Sequence, residues 1–141
     1  MKLKFWCACA VLAGAAASPG MAHHSVFGVF DPEAPFTVTG IVTEVEWVNP
    51  HVFLHVAVEN ESGEVVDWRL ETIPTTGLRR AGINPDMLMG GGEPVTVTGI
   101  LAHEEKNMGW VHRITYADGH FYQMSNERLD QGASQPSVPQ E

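Results

Sequence analysis

The chain has 141 residues, of which 44% are hydrophobic and 18% are charged, a balance typical of a single globular domain with one core. Acidic residues outnumber basic ones by 17 to 8, which gives a formal net charge of -9 at pH 7. A field of that sign repels phosphate backbones and anionic lipid surfaces and attracts cations, so nucleic-acid binding is disfavoured.

The first 22 residues have the pattern of a secretory signal peptide. Lys2 and Lys4 form a basic start, residues 5–17 form an apolar run, and Gly20-Met21-Ala22 form a small-x-small cleavage site. The apolar run is shorter than the about 20 residues that a transmembrane helix needs. Cleavage is therefore favoured over an uncleaved membrane anchor.

Cleavage after Ala22 is predicted, and a cut after Ala17 is the alternative. The first cut would leave a periplasmic or secreted protein that begins at His23 and has no stable membrane anchor. Both cysteines, Cys7 and Cys9, would leave with the signal, so no disulfide is expected. Loss of the two lysines would take the net charge from -9 to -11.

The predicted organisation after the signal has three parts. Residues 23–35 form an N-terminal arm, residues 36–125 form a β domain, and residues 126–141, rich in Gln, Ser and Pro, form a disordered tail. The domain begins with "FTVTGIVTEVEW" (36–47), an alternating Val- and Thr-rich strand with a bulge expected at Gly40.

Four more strands and a helix follow in the sequence. "TVTGIV" (37–42) nearly repeats as "TVTGIL" (96–101), which indicates two glycine-bent strands that pair. Residues 51–59 and 65–72 form a predicted hairpin whose paired residue numbers sum to about 124, because that register places the apolar residues of both strands on one face. "PTTGLRRAG" (74–82) predicts a short helix capped by Thr75 or Thr76. Residues 109–122 predict a closing hairpin around Asp118-Gly119.

This order of elements predicts an all-β fold with one short helix. We expect a small five-stranded Greek-key barrel of the OB-fold type. An open meander sheet covered by the helix is the alternative. The barrel is preferred because the two glycine-bent strands would pair to close it.

Four sequence blocks resemble a known family: "AHHSVFGVFD" (22–31), "VEWVNPH" (45–51), "LRRAGI" (78–83) and "VTVTGI" (95–100). They are similar to blocks in a family of small exported bacterial proteins described only as a domain of unknown function. The resemblance covers nearly the whole mature chain. It implies export and a β-barrel of about this length, and it supplies no activity.

A mature terminus at His23 would be a potential copper site. The α-amine and Nδ1 of an N-terminal histidine can chelate one metal, and the imidazole of His24 or of a more distant histidine can complete the set. A nitrogen-rich site of this kind suits Cu(II), and the arrangement is similar to a histidine brace. The simpler interpretation is that His23 and His24 form a polar terminus without a ligand.

His51 is the predicted partner of His23 in this site, because Pro50 constrains the backbone just before it. In the predicted register Glu71 lies diagonal to His51, at a distance from which its carboxylate could orient the imidazole. The simpler interpretation of His51 is a strand residue bonded to backbone.

No catalytic motif is found in the sequence, so a non-catalytic protein is favoured over an enzyme. The partner is then a metal ion, copper in the preferred interpretation. The alternative is a non-metal interaction module that holds a periplasmic protein or a small ligand on exposed aromatic side chains. Its candidate surface residues are Trp47, Phe53 and Trp110.

Overall fold

A computed structural model describes residues 26–125, which form a mostly β structure with short helices. The elements in chain order are α1 (Val26–Val29), β1 (Phe30–Trp47), β2 (Val52–Glu59), β3 (Val65–Thr72), α2 (Thr75–Arg80), α3 (Pro85–Met89), a 3-10 turn (Gly90–Gly92), β4 (Val95–Ala102), β5 (Met108–Thr115) and β6 (Phe121–Gln123). No helix in this range is long and apolar enough to cross a bilayer. The predicted signal peptide and tail lie outside the described residues.

Strands β1 to β5 close into a ring. The sheet order is β3-β2-β1-β4-β5-β6, and β3 also pairs with β5. All neighbouring strands are antiparallel except β3 and β5, which run parallel through the pairs Arg69–Met108, Leu70–Gly109 and Glu71–Trp110. The open meander sheet is therefore wrong, because such a sheet would leave β3 and β5 unpaired with each other.

The two near-identical segments pair with each other, as predicted. Thr37, Val38 and Thr39 on β1 face Thr98, Val97 and Thr96 on β4. The two valines are buried, and the hydroxyls of Thr39 and Thr96 lie 3.0 Å apart, within hydrogen-bond distance. The shared alternation thus places valines in the core and threonines on the outside of both strands.

The expected bulge at Gly40 is wrong. The pairing of β1 with β2 shifts register between Val42 and Glu44, so the irregularity lies further along the strand. Gly40 instead marks the point where β1 stops pairing with β4 and begins to pair with β2. A Cβ atom there would lie 2.3 Å from the carbonyl oxygen of Ala57. Glycine is needed for this close backbone approach.

The predicted register of the β2–β3 hairpin is confirmed. The pairs run from Val52–Thr72 to Glu59–Val65, and each pair of residue numbers sums to 124. This register directs Val52, Leu54, Val56 and Leu70 into the core, where they are fully buried.

The connections differ from the prediction in two places. Helix α2 forms within the predicted range, but no side chain caps it, because the hydroxyl of Thr75 donates to the side-chain oxygen of Asn49 instead. A further short helix, α3, forms where the sequence analysis predicted none. Asn84 caps it by accepting from the amide of Met87 at 3.0 Å.

The N-terminal arm becomes strand earlier than predicted. β1 begins at Phe30, which pairs with Ala102 on β4, and the amide of His103 donates to the carbonyl of Val29 at 2.9 Å. The described part of the arm is thus attached to the end of β4 by backbone hydrogen bonds.

We expect Gly99→Ala to destabilise the protein strongly, because a Cβ atom there would lie 1.9 Å from the carbonyl oxygen of Trp110. The free energy of unfolding should fall by at least about 2 kcal/mol, in the upper part of the range for overpacked substitutions. Urea denaturation measures this loss. Gly28→Ala is the matched control, since no atom lies within 4 Å of its added Cβ. Equal stability of the two variants would contradict this account of the glycine.

Candidate functional site

The most distinctive polar contact joins His51 and Glu71. His51 lies in the loop before β2, and its Nδ1 contacts a carboxylate oxygen of Glu71 near the end of β3. The His51 side chain is 47% exposed, whereas that of Glu71 is 10% exposed. A buried carboxylate therefore holds one nitrogen of a solvent-accessible imidazole, and Nε2 is the ring nitrogen that this contact does not use. The predicted proximity of these two residues is confirmed, and their role toward a metal stays a prediction.

The loop that carries His51 is attached to helix α2. The buried hydroxyl of Thr75 donates to the side-chain oxygen of Asn49. The Asn49–Pro50 peptide bond is cis. On the same loop's β1 side, the guanidinium of Arg79 lies 5.9 Å from the ring centre of Trp47. Both contacts hold the part of the loop that precedes His51 and so limit where its imidazole can lie.

Glu71 is buried because it pairs with residues on two strands. Its neighbours are Phe53 on β2 and Trp110 on β5. Burial raises the pKa of the Glu71 carboxyl, and the opposing charges of His51 and Arg69 partly offset that rise. A carboxylate in this position needs a cationic or hydrogen-bonding partner, and His51 is the group in contact with it.

Arg69 covers the ring of Phe53 and links β3 to β1 across β2. Its guanidinium carbon lies 3.7 Å from the ring centre of Phe53, and Nη2 lies 3.3 Å from a carboxylate oxygen of Glu46 on β1. Sequence reasoning missed this contact. The confirmed register would have revealed it, because it places Arg69 diagonal to Phe53, within reach of a long side chain.

His55 lies between carboxylates on both neighbouring strands. Its Nδ1 is 2.9 Å from Asp67 on β3, and its Nε2 is 3.6 Å from Glu46 on β1. The second distance is too long for a hydrogen bond. The hydrogen bond to Asp67 raises the pKa of His55; burial acts in the opposite direction, and the charges of Asp67 and Glu46 add to the rise.

Trp110 is not an exposed surface residue, so its assignment to a ligand-binding surface is wrong. It is 5% exposed. The ring of Phe30 lies 5.9 Å from the Trp110 ring, and the indole N–H donates to the hydroxyl of Ser125 at 3.0 Å. The start of β1 and the segment after β6 thus cover it. Trp47 and Phe53, the other two candidates, are half-buried.

The predicted ligands His23 and His24 lie outside the described residues. Within residues 26–125 no group of three or more His, Cys, Asp or Glu side chains is arranged to hold a metal ion. Copper ligation by His23, His24 and His51 stays a prediction.

Residues 10–112 match the model of a protein family of unknown function, DUF6152. The chain belongs to this family. The match includes all four sequence blocks that suggested the resemblance, which is thereby confirmed. Comparison with curated proteins and with solved structures gave no match. Membership of DUF6152 supplies no activity, so function has to be argued from the residues themselves.

We expect His55→Gln to remove a pH-dependent part of the stability. Because the folded-state pKa of His55 is raised, its contribution is fully present below about pH 6.5 and is lost as pH rises through the folded-state pKa. Urea denaturation should show that the free energy of unfolding of the wild type falls by up to about 1 kcal/mol between about pH 6 and pH 8.5, the size typical of ion pairs near a surface. The variant should lack this fall.

His103→Gln is the control for this experiment, because the His103 ring contacts the carbonyl of Phe27 and, among residues 26–125, no carboxylate. It should keep the wild-type pH dependence. If the free energy of unfolding changes with pH in the same way for wild type and His55→Gln, the contacts with Asp67 and Glu46 do not set the proton affinity of His55.

Proposed function

We propose that the protein is exported to the periplasm and binds Cu(II) without catalysing a reaction, as a carrier or buffer. His23 would be the mature N-terminal residue, and His24 and His51 would supply further imidazole ligands. The observation that carries the proposal is the contact between the exposed imidazole of His51 and the buried carboxylate of Glu71. A carboxylate behind a metal-binding histidine fixes the ring's tautomer and orientation.

The chemistry of the proposed ligands favours copper. An N-terminal histidine offers its amine and Nδ1 to the same ion, and the amine loses its proton readily because its ordinary pKa is about 7.7–8.0. Nitrogen ligands in a nearly planar arrangement suit Cu(II), which also has the highest affinity among the divalent first-row metals. The net charge of -11 expected after cleavage adds a general attraction for cations.

The chain is long enough for His23 to reach His51. Phe30 contacts Trp110, which pairs with Glu71. From Trp110, His51 lies two strands across and two residues along, which is about 12 Å by ordinary sheet geometry. The eight residues from His23 to Phe30, with one helical turn among them, can span about 16 Å.

We further propose that the ring of β1 to β5 is a small barrel of the OB-fold type. The parallel pairing of β3 with β5 and the antiparallel pairing of β1 with β4 support this assignment. Such barrels close without free edges among their main strands.

A non-metal interaction module is the second candidate function. The observation in its favour is that Trp47 and Phe53 are only half-buried and that each has an arginine near its ring. This surface could hold a protein or a small ligand without any contribution from the mature terminus.

Blocking the terminus should separate the two functions. We expect three alanines inserted between Ala22 and His23 to weaken Cu(II) binding at least about 100-fold, equivalent to about 2.7 kcal/mol, because the amine no longer belongs to a histidine. Three residues are needed, since a histidine at the second or third position would itself chelate copper with backbone amides. Affinity is measured by competition titration against a copper chelator, on protein purified from the periplasm. Intact-protein mass spectrometry first verifies where the signal peptide was cleaved.

An unchanged affinity in the extended protein would refute the N-terminal site. A wild-type mass that begins at Ser18 would refute it as well. The interaction-module function predicts instead that partner binding survives the extension.

The contact between His51 and Glu71 can be tested separately. We expect Glu71→Gln to weaken Cu(II) binding about 10- to 100-fold, as removal of such a supporting group does elsewhere, with one copper per chain retained. His51→Ala should weaken binding further and change the electron paramagnetic resonance spectrum of bound Cu(II), because a nitrogen ligand is lost. His120→Ala is the matched control, since its exposed ring pairs with Asp118 on the β5–β6 hairpin. If His51→Ala and His120→Ala give the same affinity and spectrum, His51 is not a ligand.

A further inference from the structure

A cavity of about 610 Å³ lies over strands β1, β4, β5 and β6, and neither His51 nor Glu71 contributes to it. Its volume is within the range of small-molecule sites. One part of its lining is apolar and includes Pro32, Pro35 and Phe36. The polar part consists of Thr37, Thr98, His112, Arg113, Thr115 and Gln123.

The lining of this cavity contains no acidic residue, although the chain has 17 of them. Two other cavities of the described residues differ in this respect. One, of about 450 Å³, is lined by Glu104 and Glu105; the other, of about 380 Å³, is lined by Asp86, Glu93 and Asp118. The lining of the 610 Å³ cavity is therefore locally positive, although the protein as a whole is strongly negative.

Arg113 supplies the positive charge and is held in place. Its Nε donates to the side-chain oxygen of Gln123 at 2.9 Å, and its guanidinium carbon lies 4.5 Å from the ring centre of Phe121. Within residues 26–125 it forms no ion pair with a carboxylate, unlike Arg69. Its terminal nitrogens are therefore available, in a fixed orientation, to an anion.

The threonines add neutral groups to the same lining. The hydroxyls of Thr37, Thr98 and Thr115 make no side-chain hydrogen bond in the described part of the chain, whereas those of Thr39 and Thr96 are within hydrogen-bond distance of each other. Each free hydroxyl can donate one hydrogen bond and accept others. Three such groups beside an arginine match a ligand that carries several hydroxyls as well as a negative charge.

His112 reaches the lining through a β-bulge. The pairing of β4 with β5 shifts between Thr98 and Gly99, which leaves His112 as the extra residue on β5. Bulges of this kind redirect a side chain and are common beside functional sites. His112 is 9% exposed and lines the cavity.

We propose that this cavity binds a small polyhydroxylated carboxylate, of the size and chemistry of a sugar acid. The guanidinium of Arg113 pairs with the carboxylate, the hydroxyls of Thr37, Thr98 and Thr115 bond the hydroxyls of the ligand, and the apolar lining packs against its carbon skeleton. The site is independent of the proposed copper site, because the two share no residue.

The test is an amide NMR titration of the mature protein with D-glucuronate up to about 20 mM, a range that detects millimolar binding. We expect saturable shifts at Thr37, Thr98 and Arg113. Two compounds should bind at least about 10-fold more weakly than glucuronate. Methyl D-glucoside has hydroxyls but no carboxylate to pair with Arg113. Acetate has a carboxylate but no hydroxyls to bond the threonines.

Arg113→Gln should weaken glucuronate binding at least about 10-fold, the loss of one hydrogen-bonded charge, and Thr98→Val should also weaken it. Arg80→Gln is the matched control, because Arg80 is also exposed and without a carboxylate ion pair in the described residues but does not line the cavity. Absence of saturable shifts at the cavity residues would overturn the proposal. So would equal binding of glucuronate by Arg113→Gln and Arg80→Gln.

Discussion

The parallel pairing of β3 with β5 is the constraint on which the candidate site depends. Only three residue pairs form it, yet it joins the first three strands to the last ones and closes the ring. It also places Trp110 directly beside Glu71. Without this neighbour Glu71 would lie on a hydrated strand edge. With it the carboxylate is buried, and burial makes the contact with His51 energetically necessary.

The arginines show how the fold distributes positive charge. Arg69, Arg79 and Arg113 each lie near an aromatic ring, an arrangement that favours a cation at the ring face. They differ in their acidic partners. Arg69 pairs with Glu46, whereas in the described part of the chain Arg113 is bonded to the neutral side chain of Gln123 and to no carboxylate. Arg69 therefore serves mainly to cover Phe53, and Arg113 keeps its charge for a ligand.

Short-range sequence patterns predicted the structure where neighbouring residues determine it. The register of the β2–β3 hairpin followed from alternation and a short loop, and it was sufficient to place Glu71 beside His51. The burial of Trp110 could not be predicted, because Phe30 and Ser125 cover it from distant parts of the chain. The position of the bulges was also beyond prediction. Glycine at position 40 indicated a bulge there, but Gly40 is needed for close backbone approach. At the second glycine of the repeated pattern, Gly99, the extra residue lies on the facing strand β5, at His112.

The contact between His51 and Glu71 also explains how one site could be stable with and without a metal. Without a metal, the contact with the His51 imidazole offsets the cost of burying the Glu71 carboxylate. In the proposed copper site the metal would bind Nε2, and the Nδ1–H of His51 would donate to Glu71. Glu71 would therefore keep the same partner in both states, and the same contact would position the imidazole before and after the metal binds.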